Sequence, residues 1–157
     1  MRLLVLLSLC LGIVFFYQTG GEPMPTMQLL QTQLNDDDAG LVSVGDCEAE
    51  KCVMVYLAPW CGTCRAASPM IVQMKAQLEQ EGIPMQVVIG NANGSQVQQY
   101  AAQFPFNVAL DPMGAYSHQL ENKGVPYFVV FNKKGKRVSD YGGAYLQVDA
   151  MRGALEI

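Results

Sequence analysis

"CVMVYLAPWCGTCRAASP", residues 52–69, joins a nearly continuous apolar run to two cysteines three positions apart and then to the start of a helical pattern. Val53, Val55 and Tyr56 favour extended backbone, and an apolar run without polar alternation reads as a strand covered on both faces. Beyond the cysteines, Met70, Met74 and Leu78 recur every four residues, while Lys75, Glu79 and Glu81 stay off that stripe. This period predicts an amphipathic helix, and Gly82 followed by Pro84 supplies its stop. Cys61 therefore falls at the N-terminal end of a helix, where unpaired amide groups and the helix dipole favour a thiolate over a thiol. Cys64, one turn on, is placed to attack a mixed disulfide held by Cys61, which makes a slow bimolecular exchange a proximity-driven step. The pair reads as redox-active, with Cys61 the nucleophile and Cys64 the resolving thiol, rather than as core filler.

Working outward, the chain has 157 residues, half of them hydrophobic, enough for the core of one ordinary domain. Residues 1–21 carry Arg2, an apolar run from Leu3 to Tyr17 and no acidic charge, and read as a signal peptide or an N-terminal membrane anchor. With Arg2 as the early positive charge, either reading puts the domain outside the cytoplasm. Residues 22–40, with Pro23, Pro25 and the acidic run Asp36 to Asp38, lack a sustained apolar period and read as a linker or loose lead-in.

Residues 41–157 are expected to form the folded domain. "LVSV", "MQVVIG" and "NVAL" read as strands, "SQVQQYAAQF" as a helix opened by Ser95, and "GAYSHQLENKG" as a short helix ending near Gly124. "YFVVF" and "RVSDY" around the polar turn "NKKGK" read as an antiparallel hairpin. Leu146, Ala150, Ala154 and Leu155 sit at helical spacing in the tail. The expected class is α/β, a central mixed sheet flanked by helices.

The net charge is −4, and the ten Lys and Arg residues form no stripe or aromatic-interleaved patch, which argues against a nucleic-acid partner. Cys47 and Cys52 precede the first long strand. A four-cysteine zinc site is opposed by that strand, because Val53 to Ala58 in extended form spans about 20 Å, too far for thiolates that must converge on one metal. In an oxidising compartment Cys47 and Cys52 read as a local structural disulfide, with a second redox pair or free thiols as alternatives. His118, the single histidine, and the nine methionines read as surface and packing residues.

"APWCGTC" with Pro69 in the following helix, and "GVPYFVVFNKKGK" with Pro126, resemble the thioredoxin superfamily. The stretch "FPFNVALDPMGAYSHQL" is similar to the extra strand and helix of its envelope-anchored branch, the TlpA-like thiol-disulfide oxidoreductases. The resemblance implies a thioredoxin-like fold with a strand-helix insertion before a cis-proline. It implies that Pro126 is cis to Val125 and packs opposite the cysteines, that the Val125 backbone pairs with an extended substrate, and that Trp60 shapes the surface beside Cys61. Many relatives keep a buried carboxylate six residues before the first cysteine; this chain has Val55 there. A peroxidase on this fold would need a threonine where Ala58 stands.

The expected function is an extracytoplasmic protein thiol-disulfide oxidoreductase, a reductase recharged by a membrane electron donor, with an oxidase or isomerase, or a non-catalytic binding module, as alternatives. Its partners are protein thiols and disulfides and, through the N-terminal segment, the inner membrane. No cofactor is required, since the cysteine pair itself carries two electrons.

Overall fold

A computed structural model of the chain describes residues 21–32 and 40–157. The signal or anchor segment expected over 1–21 therefore lies, save Gly21, outside the described residues, as does the run Asp36 to Asp38. The described residues form seven strands, β1 (Met27–Gln31), β2 (Leu41–Val44), β3 (Lys51–Leu57), β4 (Met85–Gly90), β5 (Ala109–Asp111), β6 (Tyr127–Asn132) and β7 (Arg137–Gly142). The helices are α1 (Gly62–Gln80), α2 (Gly94–Ala101), α3 (Ala115–Leu120) and α4 (Val148–Leu155). One sheet contains all the strands, in the order β2-β1-β5-β4-β3-β6-β7. β3 runs parallel to β4 and antiparallel to β6, so the sheet is mixed. This is the thioredoxin-like α/β architecture expected of the sequence.

β3 is apolar on both sides because both sides are covered. Val53, Val55 and Leu57 share a core with α1, α2 and α4, whereas Cys52, Met54 and Tyr56 point to the other face, against Tyr116 and Leu120 of α3. The stripe of α1 packs as its period demands, with Met70, Ile71, Met74 and Leu78 all buried. Each such side chain contributes up to about 1.5–3 kcal/mol on burial. Pro69 sits inside α1, where it cannot donate to the preceding turn. α1 stops where Gly82 turns left-handed at φ +76°, and the Ile83 N–H returns to the Leu78 carbonyl at 2.8 Å.

Register decides what meets at the end of the sheet that carries Cys61 and Cys64. Tyr56 of β3 faces Tyr127 of β6, so Pro126 and the turn leading to Cys61 emerge side by side. Leu57 faces Ile89 and Gly90 faces Asp111, which brings Asn91 and Asp111 to the same end. At the opposite end Lys51 faces Asn132, beside the β6–β7 turn.

Several expectations need correction. The segment 22–40 is not a tether where it is described: Met27–Gln31 is a sheet strand, antiparallel to both β2 and β5. Upstream, the Met24 N–H donates to the Gly135 carbonyl (2.8 Å) and the Arg137 N–H to the Glu22 carbonyl (2.9 Å). "MQLLQ" hides this role because in so short a strand only Leu29 is buried, flanked by Gln28 and Leu30 on the exposed side. The fold thus begins before Leu41. Asn93, rather than Ser95, caps α2, its Oδ1 accepting the Gln96 N–H at 3.0 Å. The helix expected to reach Gly124 ends at Leu120, because Glu121 adopts a left-handed φ of +55°. In the tail, Val148, Met151 and Leu155 face the core, while Leu146 lies outside α4 and is exposed.

Candidate active site

The turn after β3 closes with the Cys61 N–H on the Ala58 carbonyl (3.1 Å), and Cys61 becomes the N-cap of α1. Its extended backbone (φ −84°, ψ 111°) aims Sγ back over the first turn, where it accepts the Cys64 N–H at 3.1 Å. An N-cap atom that receives an otherwise unpartnered amide at the positive end of a 19-residue helix is favoured as an anion. Cys61 and Cys64 are joined as a disulfide with Cα atoms 5.2 Å apart. Cys64 is fully buried and Cys61 keeps 7% of its surface. An incoming group therefore meets Cys61 first.

Across from them the Val125–Pro126 bond is cis. The Val125 carbonyl oxygen lies 3.5 Å from Cys61 Sγ, and the Pro126 carbonyl accepts the Gly143 N–H at 2.8 Å. Beside them a cavity of about 480 Å³ opens between Lys123, Gly124, Val125 and Tyr127 on one side and Asp140 and Gly143 on the other. Trp60, 66% exposed, flanks the opposite side of Cys61. Its indole N–H donates to the Asn91 carbonyl at 2.8 Å. Arg65, the residue after Cys64, donates from Nε to the Pro59 carbonyl at 2.8 Å and lies over the Tyr100 ring. The residues anticipated for the site, Trp60, Cys61, Cys64, Val125 and Pro126, are thus brought together. Val55 is wholly buried in the apolar core, so no carboxylate stands at that position.

Sequence reasoning missed a buried polar cluster under this end of the sheet. Asp111, 1% exposed, accepts the Tyr56 hydroxyl at 2.7 Å and the backbone N–H groups of Tyr116 and Ser117 at 3.1 Å. Asn91 donates from Nδ2 to Ser117 Oγ at 2.9 Å. The signal available was "LDP", an acid closing an apolar strand, which reads as easily as a solvated strand end.

Burial, and then Asp111, raise the Tyr56 phenol well above its usual range, and burial does the same to Tyr116. Tyr127 is pushed up to about 12, chiefly by burial and then by donation to Asp140 at 2.6 Å. A phenol with a raised folded pKa holds its proton more tightly than the unfolded chain does. Its stabilisation is complete below pH 10.0 and is lost as pH rises through about 12. Urea unfolding is expected to give a free energy that falls steeply above pH 10, with a shallower fall in Tyr127→Phe. A flat profile across that window would contradict the burial argument.

Cys47 and Cys52 form the second disulfide, with Cα atoms 5.8 Å apart. Cys52 lies at the start of β3 and Cys61 beyond its end, so the two sulfur pairs stand at opposite ends of the strand. The bridge closes a loop with a sequence separation of five, for which chain entropy gives about 2 kcal/mol. The double variant Cys47→Ala/Cys52→Ala is expected to lose about that much unfolding free energy while keeping its exchange activity. Loss of activity in a folded double variant would instead make this pair a relay.

Comparison with known proteins agrees with this geometry. A family model described as Redoxin matches residues 19–147. The fold resembles a putative thiol:disulfide interchange protein DsbE from Chlorobium tepidum, at 28% identity and TM-score 0.65 over 80% of this chain and 86% of that one. It also resembles StoA from Bacillus subtilis, at 15% identity and TM-score 0.61, covering 83% of this chain and 96% of that one, a likeness of fold alone. Among curated proteins, Peroxiredoxin-like 2A of Xenopus tropicalis is 31% identical over 64 residues, which is 41% of this chain. The chain spans only 28% of that protein's length.

Proposed function

Because this chain belongs to the Redoxin family and is a thioredoxin-like thiol-disulfide oxidoreductase, we propose that it reduces disulfides in other proteins outside the cytoplasm, with Cys61 as nucleophile and Cys64 as resolving thiol. The observation that carries the assignment is the position of Cys61 Sγ, which accepts the Cys64 amide at the helix N-terminus and lies 3.5 Å from the carbonyl that precedes Pro126.

In the reduced protein the Cys61 thiolate attacks one sulfur of a client disulfide. A new S–S bond forms, the client's S–S bond breaks, and its other sulfur leaves as a thiolate that takes a proton from solvent. Cys64, as thiolate, then attacks Cys61 Sγ. The mixed disulfide breaks, the second client sulfur leaves and is protonated, and the Cys61–Cys64 disulfide remains. Two electrons have passed to the client. An external dithiol donor, at the membrane in this proposal, must return them for the next cycle. Val125 offers backbone hydrogen bonding to an extended client, Pro126 shields the sulfurs, and Trp60 supplies a flat apolar surface beside them.

Two features support an oxidising compartment: the Cys47–Cys52 bridge and the apolar run over residues 3–17. The reduction potential of the Cys61–Cys64 pair discriminates direction. A value near −270 mV fits a reductase, whereas one near −120 mV would turn the protein into an oxidant of client thiols.

The defining experiment uses Cys64→Ser in living cells. Without the resolving sulfur, Cys61 is expected to accumulate covalent adducts with client proteins that dithiothreitol releases. Their complete absence, with the variant expressed and folded, would reject the exchange mechanism.

A further inference from the structure

We infer that Asn91 is a positioning residue that fixes the Trp60 indole beside Cys61 and thereby ties polypeptide docking to the inserted β5–α3 segment; the inference rests on the oxidoreductase reading above. A two-thirds exposed indole gains little orientation from packing, and its polar handle has a single recorded partner, the Asn91 carbonyl at 2.8 Å. Where that carbonyl points is therefore where the ring stays.

The carbonyl is held from several directions. Asn91 follows Gly90 at the end of β4 in a left-handed conformation, φ +54°, which asparagine tolerates better than most residues. Its N–H donates to the Asp111 carbonyl (3.3 Å) and its Nδ2 to Ser117 Oγ (2.9 Å). A Cβ at Gly114 would stand 1.9 Å from Asn91 Oδ1, so the side chain occupies space that only a glycine leaves free. Gly114 and Ser117 both belong to the insertion, and Ser117 is itself pinned through its N–H to Asp111 Oδ2. The path runs from the buried carboxylate through Ser117 and the Asn91 side chain to the Asn91 carbonyl and the indole.

A pre-positioned aromatic ring spares a client the entropy of ordering it, so the effect belongs in client affinity more than in the chemical step. Because Trp60 is the single tryptophan, its fluorescence reads the ring directly. The test compares the full oxidised chain with Asn91→Gly, which tolerates the same backbone and deletes the side-chain bond, and with Ser117→Ala, which removes the acceptor of Nδ2 together with the hydroxyl's donation to Asn122 Oδ1 (2.6 Å). Both are expected to show a faster, larger-amplitude anisotropy decay of Trp60. Both should also show a KM for insulin raised about three- to tenfold, the size of a lost neutral hydrogen bond, with kcat little changed. If Asn91→Gly fails to fold, Ser117→Ala carries the test alone.

An unchanged Trp60 anisotropy decay in the folded variants overturns the inference, whatever happens to KM. A wild-type protein that does not turn over insulin would reject the oxidoreductase reading instead, and the anisotropy comparison would still decide the placement of the ring.

Discussion

Cys61→Ser is expected to lower insulin-disulfide reduction at least about a thousandfold, because it deletes the proposed nucleophile rather than adjusting it. A serine hydroxyl in the same N-cap still accepts the Cys64 N–H, so the helix start and the fold should survive. What is lost is the sulfur that forms an S–S bond with a client. Rapid alkylation of the reduced wild type below pH 8.5, absent from Cys61→Ser, would locate the low-pKa thiolate at this residue. Exchange by the serine variant above a tenth of the wild-type rate would place the chemistry elsewhere. Cys64→Ser should differ in kind, since attack still occurs and only release fails.

Asp111→Ala should produce the largest loss of stability of any single polar substitution at this end of the sheet, about 3 kcal/mol or more. The carboxylate accepts one hydroxyl and two backbone amides in a site with almost no solvent contact. Each donor left buried without a partner carries a penalty of about 1–3 kcal/mol, and water has little access to replace the acceptor. Tyr56→Phe should cost less, about 1–1.5 kcal/mol, because Asp111 keeps its two amides. The neighbourhood leaves no slack to absorb the change: a Cβ on Gly90 would lie 2.0 Å from the Tyr56 hydroxyl and 2.4 Å from the Asp111 carbonyl. Chemical denaturation of the two variants checks the order. An Asp111→Ala loss below about 1 kcal/mol would show that the cluster is hydrated or rearranges.

The two halves of the candidate site were legible because each is carried by a local pattern. The apolar run before Cys61, the four-residue stripe after it and the hairpin beyond Pro126 each bury a continuous face, and short-range periodicity reports that directly. β1 was not legible because only one of its side chains is buried, so no alternating pattern marks it, although it pairs with nearby β2 and with β5 some eighty residues away. The support of Trp60 was invisible for a related reason, since its partner is a backbone carbonyl whose direction depends on a left-handed turn at Asn91. The tail misled because Ala150 and Ala154 are compatible with either face of a helix. The larger Val148 and Met151 decided the matter by filling the space against the sheet.

The strand pairing of Pro23 with Lys136 fastens the start of the described chain to the β6–β7 turn. That turn lies at the Lys51–Asn132 end of the sheet, and Cys61 beyond the Tyr56–Tyr127 end, so the two are separated by the length of β3, about 20 Å. Gly21, where the described residues begin, therefore stands at the end of the sheet remote from Cys61. The face that carries Cys61 is thereby left clear of this bridge, and a bulky client can approach it without meeting the first described residues.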